Sequence, residues 1–114
     1  MKITKLYTGE DQQSHFCEID TGPTTPHPLG NYSTPFPATS IKFRDFESGG
    51  SYDWHNAPQP QYIVYLEGEV EVEISDTEKR IFKPGDILFA TDLTGKGHIS
   101  RTLTKGRSLI ITTQ

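Results

Sequence analysis

One stretch, Gly49–Gly68 (GGSYDWHNAPQPQYIVYLEG), gathers more chemically competent side chains than any other part of this chain. It holds the single tryptophan, Trp54, one of four histidines, His55, and Gln61 at the head of an alternating apolar segment. An imidazole titrates near neutral pH, so His55 has the chemistry of a general acid or base, or of a metal ligand in its neutral form. An amide such as Gln61 can donate and accept at once, which suits reading a ligand carbonyl or hydroxyl, or a structural hydrogen bond. A second imidazole, His98, closes the loop Thr91–Gly97 (TDLTGKG), which carries Asp92. Arg44 and Arg101 carry the planar fork that binds a carboxylate or phosphate through two hydrogen bonds, or else simply solvate the surface. Tyr52, Trp54 and Tyr62 offer faces for a planar or sugar-like ligand, or area for a core or a subunit contact. His15 and His27 stand apart, and Cys17 has no activating neighbour in the sequence.

The elements that must position these groups are strands. At 114 residues the chain has the length of one domain. Hydrophobic content is 32%, lean for a helical bundle, and 10 Gly with 8 Pro suit a β protein with many turns. A net charge of -4 without a Lys/Arg cluster argues against a nucleic-acid partner. The lone cysteine excludes an internal disulfide framework and points to a reducing, cytoplasmic setting. No signal-peptide pattern or membrane-spanning apolar run is expected.

In chain order, Met1–Thr8 reads as an edge strand and Ser14–Asp20 as a second strand. Residues 21–37 carry five Pro and two Gly, so they read as an ordered arm or long loop anchored by Leu29, Tyr32 and Phe36. Ala38–Glu47 sets Ile41, Phe43 and Asp45 on one face and Lys42, Arg44 and Phe46 on the other. Ser51–Pro60 reads as a loop feeding the strand Gln61–Leu66, in which Ile63 and Tyr65 share the face of Gln61. Glu69–Ser75 (EVEVEIS) is the clearest strand, with Val70, Val72 and Ile74 inward and the glutamates outward. Asp76–Thr77 turns it into Glu78–Phe82. Ile87–Ala90 follows the turn Pro84-Gly85-Asp86. His98–Thr104 and Arg107–Thr113 read as a closing hairpin around Lys105-Gly106, with Ser100 and Thr102 on the face of His98. Short strands punctuated by Gly and Pro indicate a sandwich or barrel.

Gly49, His55 six positions on, and Gly68, followed by Pro84-Gly85-Asp86 and His98, resemble the two motifs of the cupins over roughly residues 40–104. The wording DWHNAPQPQY and PGDILFATDLTGKGH is similar to a group of small single-domain cupins whose biochemistry is unsettled. The resemblance implies an all-β double-stranded β-helix, a jelly-roll cupin barrel, over residues 1–114. Residues 1–37 would form N-terminal strands and a Pro-rich arm, and residues 38–114 the core barrel. It also implies a site at the barrel mouth, often a metal held by three histidines and a carboxylate. Here the second histidine of the first motif falls on Ala57 and its glutamate on Gln61, leaving only His55 and His98.

Several readings of the site follow. His55, His98 and Gln61 would be catalytic in a metal-independent isomerase, epimerase or dehydratase acting on a small polar metabolite. Trp54, Tyr65, Asp92, Ser100 and Arg44 would line its pocket. The same His55, His98 and Gln61 would be the ligands of a weakly bound divalent metal, with Asp92 able to add the missing carboxylate. The alternatives are a non-catalytic small-molecule-binding or dimeric interaction domain, and a metal-dependent oxygenase, which Ala57 and Gln61 disfavour. A homodimer is expected, because a small barrel has sheet edges that a second copy can cover, here through the first strand and the Pro-rich arm across a two-fold axis, with outward aromatics such as Tyr62 adding apolar area.

Overall fold

The computed structural model describes residues 1–75 and 77–114; Asp76, in the expected Asp76–Thr77 turn, lies outside them. The chain is all-β, a jelly-roll arrangement of two facing sheets. Its strands are β1 (Lys2–Thr8), β2 (Ser14–Asp20), β3 (Thr24–His27), β4 (Gly30–Ser33), β5 (Ser40–Phe46), β6 (Ser51–His55), β7 (Gln61–Glu67), β8 (Val70–Glu73), β9 (Lys79–Phe82), β10 (Ile87–Thr91), β11 (His98–Thr102) and β12 (Gly106–Thr112). A six-stranded sheet runs β2-β1-β10-β7-β12-β5, and a four-stranded sheet runs β6-β11-β8-β9. No helix among the described residues is long and apolar enough to cross a membrane.

Alternation builds the core. Val70, Val72 and Ile74 are buried as their spacing requires. They meet Leu6, Ile63, Tyr65, Leu88 and Ala90 from the opposite sheet. The Tyr65 ring stacks on Phe82 at 5.2 Å, linking the two layers.

Four expectations change. Met1–Thr8 is no edge: β1 lies between β2 and a parallel partner, β10, and buries Leu6 completely. The Pro-rich arm forms a hairpin, β3–β4, exposed along its whole length. Ser51–His55, expected as loop, is a strand paired to β11; its turn-forming residues are overridden by that tertiary pairing. The closing hairpin does not form, because β11 and β12 lie in different sheets. The connection crosses the layers where Gly106 passes so close to the Glu67 carbonyl and Gly68 that a side chain there would clash.

β5 lies at the edge of the large sheet and turns Ile41 and Phe43 outward, at 51% and 79% exposure. The other face of β5 sends Lys42 and Arg44 toward the space between the sheets.

Candidate functional site

Between the sheets lies a cavity of about 420 Å³. The six-stranded sheet contributes Lys42, Arg44, Gln61, Ile63 and Tyr65, and the four-stranded sheet contributes Tyr52, His55, His98, Ser100 and Thr102. Strand periodicity explains the choice: Lys42/Arg44, Gln61/Ile63/Tyr65 and His98/Ser100/Thr102 are each spaced by two.

His55 and His98 face each other across the β6–β11 pair, with ring centroids 4.3 Å apart. Their approach depends on Gly97. It has φ +79° and lies against the His55 carbonyl, where any Cβ would collide with backbone. Two further ties hold the loops together. The Ala57 N–H donates to the Asp92 carbonyl at 3.1 Å, and the Asn56 side-chain amide donates to the Thr94 and Gly95 carbonyls.

Each imidazole is fixed in orientation. His55 Nδ1 lies 2.7 Å from the Asp53 carbonyl oxygen. A carbonyl only accepts, so neutral His55 carries its proton on Nδ1 and leaves Nε2 as a bare acceptor. The Tyr52 ring stacks on His55 at 3.7 Å. Burial above all lowers the pKa of His55, and His98 nearby adds to this; the Asp53 carbonyl and Asp92 pull the other way. His98 Nδ1 lies 2.6 Å from Asp92 Oδ2, and the Ser14 hydroxyl donates to the same oxygen at 2.8 Å. Ser14 and Asp92 are both buried, and Asp92 Oδ1 has no protein partner. A serine, a carboxylate and an imidazole thus form a chain running from behind the site into the cavity.

Of the residues expected to bind ligand, Arg44, Tyr65 and Ser100 line the cavity with His55, His98 and Gln61. The Gln61 amide makes no hydrogen bond to protein among the described residues, so it is free to meet a ligand. Trp54 and Asp92, expected there too, do not line it. A register shift in the β6–β11 pairing sets both Tyr52 and His55 toward the cavity and leaves Trp54 out of its lining, with Lys96 Nζ 4.3 Å above the Trp54 ring. Asp92 lies behind His98, fully buried and outside the cavity lining, with its Oδ2 shared by His98 Nδ1 and Ser14. Arg101 is held outside by Glu71 and Glu73 at 3.1 and 2.8 Å. Ser14 was not expected at the site; only the pairing of β2 beside β1 brings it there.

The donor set does not fit the metal that the cupin resemblance implies. Two neutral imidazole nitrogens and one amide oxygen face the cavity, Ala57 brings no ligand, and the nearest carboxylate is engaged behind His98. Among the described residues no group of three or more His, Cys, Asp or Glu side chains converges as a metal centre does.

No family model matches the chain. A curated protein, the oryzines biosynthesis cluster protein J of Aspergillus oryzae, is 34% identical over 47 residues, 41% of this chain and 26% of that protein. The chain thus spans about a quarter of the length of the curated relative it matches. Among solved structures, a conserved Streptococcus pyogenes protein of unknown function, SPY1581, superposes with a TM-score of 0.56 at 16% identity. That match covers 72% of this chain and 69% of the other, and it supports the fold alone.

Proposed function

We propose that this small cupin-type domain is a metal-independent enzyme that moves a proton on a small polar metabolite, with His98 as the base. One observation carries the reading: His98 is held through Nδ1 by a buried carboxylate while its ring lines the cavity. That arrangement fixes the tautomer and aims Nε2 at a bound molecule. Nε2 takes a proton from a carbon beside a carbonyl, the electron pair moves onto the carbonyl oxygen, and Asp92 partners the positive ring. Return of the proton to the other face gives epimerisation, and return to a neighbouring atom gives isomerisation. Loss of a β-hydroxide, which leaves as water with that proton, gives dehydration. His55, whose charged form burial disfavours, gives up a proton readily when it carries one. Gln61 orients the carbonyl.

The test is solvent exchange. Protein treated with chelator is incubated in D2O with a panel of small hydroxy and keto acids and followed by proton NMR. Deuterium should enter beside the carbonyl of at least one compound, and His98→Ala should abolish this. Binding without exchange across the panel would overturn the enzyme reading in favour of a binding domain.

We place the domain in the cytoplasm, consistent with its one free cysteine. As its assembly we propose a homodimer in which a second copy covers the β5 edge, where Ile41 and Phe43 are exposed beside an unpaired strand. Light scattering should give twice the 12.8 kDa chain mass. Phe43→Glu should give the monomer mass; a wild-type monomer at micromolar concentration would rule the dimer out.

A further inference from the structure

We infer that Arg44 and the Tyr65 hydroxyl form an oxyanion subsite on the wall facing the two histidines, and that the substrate is a small carboxylate held there. This rests on the proposed function for the identity of the site, but its own support is separate.

The strand register sets Arg44 opposite Ser108, and Ser108 opposite Tyr65, in one row across β5, β12 and β7. Arg44 Nε donates to Ser108 Oγ at 2.9 Å, and the guanidinium sits 5.3 Å from the centre of the Phe46 ring. Both contacts fix the fork. Its two terminal nitrogens make no hydrogen bond or ion pair to protein among the described residues. Arg101 and Arg107 differ: each is spent on glutamate. A half-buried guanidinium with no counter-charge is costly unless something supplies the anion.

Tyr65 points the same way. The residue is 2% exposed and lines the cavity, yet its hydroxyl has no hydrogen-bond partner in the protein among the described residues. Burial raises its pKa, so it stays a neutral donor. Lys42 adds a second cation two residues along β5. Among the described residues no Asp or Glu lines the cavity. In a chain of net charge -4, a cavity lined by cations and no acid is a local reversal of the overall field. A fork and one hydroxyl match the two oxygens of a carboxylate.

The subsite also suits the chemistry. A carboxylate pinned on the large sheet leaves the neighbouring carbon directed at the imidazoles of the small sheet, with Gln61 alongside.

Calorimetric titration of the protein with pyruvate, succinate, their methyl esters and inorganic phosphate is the test. Both carboxylates should bind, and esterification should weaken binding by roughly tenfold or more, as should Arg44→Gln. Tyr65→Phe should weaken it less, and deuterium exchange is followed separately on the wild type with the same acids. Carboxylate binding without exchange would therefore spare the subsite and sink only the enzyme reading. Esters binding as tightly as acids, phosphate binding in place of both carboxylates, or an unaffected Arg44→Gln variant would each overturn the subsite. Should Arg44→Gln not fold, the Arg44 Nε–H resonance of the wild type decides: it should shift with pyruvate and stay still with methyl pyruvate.

Discussion

His98 Nδ1 and Asp92 Oδ2 are 2.6 Å apart, and both residues are withdrawn from solvent, Asp92 completely. Ser14 donates to the same carboxylate oxygen from a strand far away in sequence. A carboxylate buried this fully is retained at a cost, and here its strongest contact is with an imidazole that lines a cavity.

Removing that carboxylate should hurt twice. Asp92→Ala leaves the Ser14 hydroxyl and the His98 N–H buried without acceptors, at a cost of about 1–3 kcal/mol by urea denaturation. Asp92→Asn keeps the shape but lets an amide donate to Nδ1, favouring the wrong tautomer. Deuterium exchange should fall by about 10²-fold or more while stability drops less than for alanine. Equal exchange in Asp92→Asn and wild type would show that the carboxylate serves only the fold.

Gly97 is expected to be intolerant. Its positive φ and its contact with the His55 carbonyl mean that Gly97→Ala must strain the backbone and push His98 from His55. The strain alone is worth about 1–3 kcal/mol. Thermal melting should register it, and a variant as stable as wild type would mean that the two imidazoles are not forced together.

Acid should weaken the fold through His55. Its folded-state pKa lies below its ordinary value of 6.5, chiefly because of burial. Between the folded and unfolded values the unfolded chain binds more protons, so stability falls as pH drops through 6.5 toward the folded value. Melting curves from about pH 7 to pH 5 should show this fall, and His55→Gln should flatten it. Identical slopes for the two proteins would contradict a desolvated His55.

An anion placed at position 61 should create the metal site that the wild-type donors do not make. Gln61→Glu sets a carboxylate beside two imidazoles and should tighten binding of Zn, Ni or Mn, whereas Gln61→Leu should not. His55→Ala or His98→Ala in the Gln61→Glu background should cancel the gain. Calorimetry that finds tight metal binding already in the wild type, unchanged by Gln61→Glu, would defeat the metal-free reading.

Much of this was legible in the sequence, and the exceptions have physical causes. Val70, Val72 and Ile74 disclose their inward face because Glu69, Glu71 and Glu73 alternate with them. The pairing of His55 with His98 is what the cupin resemblance implied. In β5 hydropathy misleads: Ile41 and Phe43 are the apolar residues, yet the cavity takes Lys42 and Arg44, since a polar cavity inverts the usual alternation. The role of Asp92 could not be read, because a residue in a loop can face a ligand or stand behind the histidine with equal ease. Ser14 is joined to it only through the β1–β10 and β1–β2 pairings, which are nonlocal. Gly97 did leave a trace: a glycine directly before a candidate histidine is a signal that backbone approaches backbone.

On the proposed reading, the buried Asp92 carboxylate presents His98 to the cavity with a bare Nε2. Long-range ¹H–¹⁵N spectra of the histidine rings, read where the rings are neutral, test this without knowledge of the substrate. His98 should carry its proton on Nδ1 with Nε2 unprotonated, and Asp92→Asn should disturb that tautomer. A wild-type spectrum with the His98 proton on Nε2 would contradict the account.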